Sequence, residues 1–150
     1  MMPAPDANSL SPFIGKPWVA GARGPNHYDC WGLFLAVQKQ FFNRDLPEIP
    51  LDALNLREVI NAFTHHPERQ RWQRVSQTRT GDAVLMRQSR YPAHIGVWLD
   101  IDGGGILHSV QHSGVVYQTT SGLYSHGWRI EGIYQFTEKP TISEQNVNDR

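Results

Sequence analysis

The stretch His27-Tyr28-Asp29-Cys30-Trp31-Gly32-Leu33 holds the only cysteine of a 150-residue chain. It follows a glycine- and proline-rich segment, Gly21-Ala22-Arg23-Gly24-Pro25-Asn26. It also opens a run in which Cys30, Leu33, Phe34, Val37 and Phe41 recur at the spacing of one helix face. Asn26 or Asp29 can cap that helix, because a short side-chain oxygen accepts from the free amides of a first turn. With Asp29 as the cap, Cys30 is the first helical residue. First-turn amides lack intrahelical partners, and the helix dipole adds partial positive charge there. Both favour a thiolate, so the expected pKa lies below the usual ~8.5 of a free cysteine. The same amides can hold the oxyanion formed when sulfur attacks a carbonyl. The plain alternative is a small buried hydrophobe, the role of most single cysteines.

The rest of the composition narrows the field. Lys+Arg and Asp+Glu balance at 14 each, so nothing points to binding driven by nucleic-acid phosphates or to a basic membrane-surface tract. One cysteine excludes an internal disulfide framework and a cysteine-based zinc ribbon. No apolar run approaches the roughly 18 residues of a membrane span. Met1 through Asn8 lack a charged start and an apolar core, so no signal peptide is expected.

Along the chain, residues 1–10 read as a flexible N-terminal arm, 11–137 as one domain and 138–150 as a polar tail. Ser11-Pro12 is expected to start a short helix that Pro17 ends. The Cys30 helix should run to about Phe42 and stop at Asn43-Arg44-Asp45. Asp52 is expected to cap a second helix with Leu56, Val59, Ile60 and Phe63 on one face, ended by Thr64-His65-His66-Pro67; His65 and His66 read as solvated surface. Trp72 to Val75 is a short extended piece. Strands follow at Ala83–Met86, Ala93–Leu99, Ile106–Val110, Val115–Gln118 and Ile130–Phe136. Asp102-Gly103-Gly104 is a hairpin signal, and Ser121 to Trp128 has room for one helical turn. Helices first and antiparallel strands afterwards imply an α+β fold.

A cysteine nucleophile needs a base, and the base needs an orienting group. His94 opens one strand and His108 lies on the next, with thirteen residues between them. If register and face agree, the hairpin sets them side by side. His27 and His112 fall in loops and are weaker candidates. Asp29 reads mainly as a helix cap, with contact to a substrate amine as the alternative. Asp82 reads as a turn residue.

Five segments in order resemble the NlpC/P60 cysteine peptidases. Asp29-Cys30-Trp31-Gly32-Leu33 is similar to the family's D-C-S-G-[LF] signature. Gly81-Asp82-Ala83-Val84-Leu85-Met86 resembles G-D-L-V-F-F, and His94-Ile95-Gly96-Val97-Trp98-Leu99 resembles H-V-G-I-Y-L. Ile106-Leu107-His108-Ser109 matches the I-x-H-A element, and Gly15-Lys16-Pro17-Trp18-Val19 the G-x-P-Y-x segment. The resemblance covers roughly residues 13–136, and the Cys-Trp-Gly variant looks most like tail-associated members of phages and prophages. It implies a papain-like α+β fold with N-terminal helices on a mostly antiparallel sheet. It implies Cys30 as nucleophile, His94 as general base and acid, and His108 as the group orienting His94. The implied substrate is the stem peptide of peptidoglycan, often cut between D-glutamate and a diamino acid, with no metal or organic cofactor. Other tail-tip proteins are the further partners implied, and a virion tail or the bacterial cell wall is the expected place of action.

Two departures bear on substrate. Trp18 stands where many members have Tyr, and an indole N–H donates but does not accept. Trp31 stands where Ser often follows the nucleophile, and its ring would reshape the pocket for the peptide's amino end. Trp18, Asp29 and Trp31 are therefore the candidate substrate contacts. The alternatives are a non-catalytic tail-tip module of the same fold, and an amidase effector or acyl-transfer enzyme using the same Cys-His site. A metal site from Cys30, His94, His108 and His112 is disfavoured, because a Ser-Gly turn interrupts the His108/His112 spacing.

Overall fold

In the computed structural model, which describes residues 4–46, 72–88 and 94–137, the Cys30 stretch begins helix α1, Cys30–Phe42. The expected second helix from Asp52, the His65-His66 turn and the 138–150 tail lie outside the described residues. Asp29 is the N-cap of α1: its backbone is extended and its side chain accepts from the Gly32 amide. Asn43 closes the helix in the left-handed conformation, φ 54°, which Asn tolerates better than most residues.

The strands are β1 (Trp72–Val75), β2 (Ala83–Arg87), β3 (His94–Leu99), β4 (Gly105–Val110), β5 (Gly114–Gln118) and β6 (Arg129–Phe136); helix α2 (Thr120–Ser125) joins β5 to β6. Among the described residues they form one antiparallel sheet in the order β1-β6-β2-β3-β4-β5. The α+β architecture is as the sequence implies. The strands from β2 to β5 form the expected meander. The last strand then returns across the sheet to lie between β1 and β2, with a register shift between Leu85 and Met86. The short helix expected after Ser11 lies earlier, at Ala7–Leu10, because Asp6 and Ser9 complete a capping box ahead of it. That turn brings Leu10 into the core.

The pleat separates two apolar layers. Ile95, Val97, Leu99 and Leu107 pack with Leu33, Phe34 and Val37 of α1. On the other layer Val84, Met86 and Ile106 pack with Leu123 of α2 and with Trp128.

Gly32 fixes how α1 meets the loop before it. A Cβ there would overlap the Ala22 carbonyl oxygen and stand 3.1 Å from Asp29 Oδ1. Helix propensity alone favours Ala over Gly by about 1 kcal/mol, but here the backbone contact decides the sign. Gly32→Ala is expected to destabilise the fold by roughly 1–3 kcal/mol, the usual cost of overpacking, read as a lower urea midpoint. A midpoint equal to or above that of the parent would contradict this packing.

Candidate active site

Asp29 does more than cap. It is 1% exposed. One oxygen accepts from the Gly32 amide at 2.6 Å and the other from the Gly21 amide at 2.8 Å. Arg23 Nη1 donates to both at 3.0 Å. The Asp29 amide donates to the Ala22 carbonyl at 3.1 Å. The carboxylate thus bolts the 21–23 loop onto the start of α1, and its oxygens are committed to three donor groups of the fold.

Cys30 is buried at the mouth of α1. The backbone amides of Ile95 and Trp31, and its own, act on the sulfur in the direction that lowers its pKa. Cys30 shares its core cluster with Ile95, the residue after His94 on β3. The helix-start amides pull the thiol pKa down as expected, but they lose. Burial, followed by the negative charge of Asp29, pushes the Cys30 thiol up to about 12 from its ordinary 9.0. The direction is opposite to the one expected from the helix start, because desolvation outweighs the amide dipoles.

His94 and His108 do lie side by side. Their ring nitrogens Nε2 and Nδ1 are 2.9 Å apart. The register pairs Val97 with Leu107, which sets His108 opposite Gly96 and His94 diagonal to it on the same face. Gly96 leaves the room this needs, since a Cβ there would stand 3.0 Å from His108 Cβ and 2.6 Å from Ile106 Cγ2. Trp128 closes the site: its ring stacks on His94 at 4.6 Å and meets His108 edge-on at 5.7 Å. Burial, and next the neighbouring His108, holds His94 well below 6.5; burial brings His108 down to about 4 against the opposing bond to Gln118. Gln118 Oε1 lies 2.7 Å from His108 Nε2.

The other candidates separate. Trp18 is half-buried and is held by a bridge to Tyr28, two residues before the thiol. Ser109 Oγ donates to the Tyr28 carbonyl at 2.8 Å and so ties the same segment to β4. Trp31 packs into the core on Phe34, with ring centres 5.3 Å apart. Its indole N–H is buried without a hydrogen-bond partner among the described residues. His27 and His112 are exposed. Asp82 accepts from the Arg79 amide at 2.7 Å in the turn ahead of β2. Arg23, Gln118 and Trp128 were not among the sequence candidates. A basic residue in the loop before Asp29 was the one available signal, and for the other two only the sheet register shows the neighbour.

A buried cysteine at a helix mouth and a buried histidine pair on an antiparallel sheet are the residue types that a thiol-dependent site requires. The model of the NlpC/P60 family matches residues 15–132, and the chain belongs to that family. A protein named "Probable endopeptidase p60" from Listeria grayi is 29% identical over 115 residues, which are 77% of this chain and 19% of that protein. The chain thus spans about a fifth of the length of this curated relative. Two solved structures share the fold. An NLP/P60-family protein from Staphylococcus aureus, described as similar to lipoprotein, aligns with a TM-score of 0.56 and 20% identity over 87% of this chain and 39% of its own. The NlpC/p60 domain of the peptidoglycan hydrolase SagA aligns with a TM-score of 0.52 and 20% identity, over 82% of this chain and 89% of its own.

The buried groups fix the sign of the pH dependence of stability. His108 stays neutral in the fold to about 4, whereas an unfolded histidine takes its proton near 6.5. The unfolded chain binds protons first, so this contribution is full above 6.5 and is lost as pH falls towards 4. Cys30 keeps its proton to about 12, whereas an unfolded cysteine loses it near 9.0. That contribution is full below 9.0 and is lost as pH rises towards 12. Urea midpoints are expected to fall on both sides, and Cys30→Ala to flatten the alkaline fall. An identical alkaline fall in the variant would contradict the burial of a protonated thiol.

Proposed function

We propose that this chain is a cysteine endopeptidase that hydrolyses stem peptides of peptidoglycan, with Cys30 as nucleophile, His94 as base and acid, and His108 orienting His94. The observation that carries the reading is the buried 2.9 Å His94–His108 contact on β3 and β4, with Cys30 buried at the mouth of the helix that packs against those strands. Family membership, the name of the Listeria relative and that of SagA support the substrate class.

The chemistry follows from the neutral resting state. His94 Nε2 is engaged by His108, which leaves Nδ1 as the ring atom for the thiol proton. Cys30 Sγ attacks the amide carbonyl as its proton passes to His94 Nδ1. The oxyanion forms next to the Cys30 amide. The His94 imidazolium then gives its proton to the leaving amine, and a thioester remains on Cys30. Water, deprotonated by His94, releases the acid and restores the thiol. The committed oxygens of Asp29 argue for a role in shaping the helix mouth rather than in holding a substrate amine. Trp18, bridged to Tyr28 two residues before Cys30, is the substrate contact we retain, and Trp31 lies in the core against Phe34.

The setting we propose is tail-associated, in a phage or prophage, acting at the cell wall. It rests on the Asp29-Cys30-Trp31-Gly32 variant alone, since the relatives named above carry no tail description. A non-catalytic tail-tip module is the competing reading, and the burial of Cys30 is the observation in its favour.

Incubation with purified sacculi is expected to release muropeptides with new amino termini, each cleavage adding one water by mass. Cys30→Ala should release none while unfolding at the parent's midpoint near neutral pH. Full activity in that variant would overturn the nucleophile assignment, and no release by the parent would favour the non-catalytic module. Because His94 must be neutral to accept the proton and burial keeps it neutral well below 6.5, kcat/KM should stay level as pH falls from neutrality through 6.5. An acid limb at or above 6.5 would contradict that environment.

A further inference from the structure

Between two neutral rings 2.9 Å apart, one proton must lie. Two arrangements satisfy this. In the first, His94 Nε2–H donates to a bare His108 Nδ1; His94 Nδ1 is then also bare, and His108 carries its proton on Nε2. In the second, His108 Nδ1–H donates to a bare His94 Nε2. His94 then carries its proton on Nδ1, the position that would have to receive the thiol proton. Only the first arrangement presents a base. Burial removes the charged alternatives, since it disfavours the imidazolium of either ring.

The choice is made one residue further out. His108 Nε2 meets the side-chain amide of Gln118 at 2.7 Å. With Oε1 inward, Gln118 accepts and His108 must carry its proton on Nε2, which enforces the productive arrangement. With the amide turned over, its NH2 donates to a bare His108 Nε2 and enforces the other. The outer end of the amide meets weaker partners. It lies 3.3 Å from His126 Nδ1. That nitrogen in turn lies 2.8 Å from the Gly122 carbonyl, which already accepts from Ser125 Oγ at 2.9 Å and from the His126 amide at 3.2 Å. The outer end reaches the exposed His126 side chain, where water can serve either amide group, so it does not oppose the inward Oε1 recorded at His108.

We propose that Gln118 is a positioning residue: by holding Oε1 against His108 Nε2 it sets the tautomer of both histidines and makes His94 Nδ1 the base. The inference rests on the proposed Cys30–His94 reaction for its consequence, but the tautomers themselves belong to the resting protein. Its test therefore has two independent readouts.

The first is the nitrogen–proton correlation spectrum of the histidine rings at neutral pH, taken without substrate. The expected result is protonated Nε2 and bare Nδ1 on both His94 and His108, with the other tautomer appearing in Gln118→Met, which offers neither donor nor acceptor. A protonated Nδ1 on His94 in the parent, or unchanged tautomers in Gln118→Met, would overturn the proposal. The second readout is kinetic, with muropeptide as substrate. Gln118→Met is expected to lower kcat by about 10- to 100-fold, the scale seen when a histidine's outer partner is lost at metal sites, with KM little changed. Gln118→Glu, whose ionised carboxylate only accepts, is expected to recover most of that loss. Recovery absent in a Gln118→Glu protein with the parent's tautomers would also overturn the proposal. If the parent cleaves nothing, the reaction assignment fails while the ring spectrum still decides the role of Gln118. If Gln118→Met does not fold, the parent and Gln118→Glu spectra decide it.

Discussion

Desolvation is the constraint on which this site depends. Cys30, His94 and His108 are each buried, and the Asp29 carboxylate before Cys30 is paired with Arg23. Taking an ion out of water costs several kcal/mol even after the protein relaxes. Each of the three groups therefore rests in its neutral form: the thiol is raised, and both rings are lowered. A neutral thiol and a neutral imidazole are a workable starting point only if the proton moves as sulfur attacks. The positive ring and the negative oxygen then form at the same moment and offset each other's cost. The arrangement resembles a serine–histidine pair in its energetics more than a preformed thiolate–imidazolium pair.

The scaffold makes that neutrality hold. Asp29 locks the 21–23 loop under the first turn of α1, and Gly32 lets the Ala22 carbonyl approach where any side chain would block it. Ser109 ties the residue before Asp29 to β4, so the helix mouth and the strand bearing His108 share one frame. Across the hairpin, Gly96 gives the two rings their diagonal contact, and Trp128 covers both. The helix mouth with its sulfur and the sheet with its paired rings are thus both buried, with little room for a charge at rest.

Much of this was legible in the residues, and the rest had physical reasons to be hidden. The cap at Asp29, the stop at Asn43 and the turn at Asp102-Gly103-Gly104 are local, and each was readable because a few neighbouring residues decide it. The meeting of His94 and His108 was readable because the turn fixes the count of residues between them. The sign of the Cys30 shift was not. The helix start is local, but the burial that outweighs it is a property of the whole fold. Gln118 and Trp128 stay hidden for a related reason: they reach the histidines through β5 and the segment after α2, whose register no motif records. The placement of β6 between β1 and β2 is likewise a long-range pairing. Trp31 looked like a pocket residue by its neighbour in sequence, yet one step round a helix turns a side chain into a different environment, here the core beside Phe34.

The central claim is that sulfur keeps its proton until a substrate arrives, and with a single cysteine in the chain it can be read directly. The measurement is the ultraviolet absorbance of the thiolate as a function of pH, taken as the difference between the parent and Cys30→Ser without substrate. The expected result is no thiolate signal at neutral pH, with absorbance rising only above the ordinary cysteine value of 9.0, towards about 12. A thiolate signal already present at neutral pH and persisting into the acid range would show an ion pair at rest and contradict the neutral site.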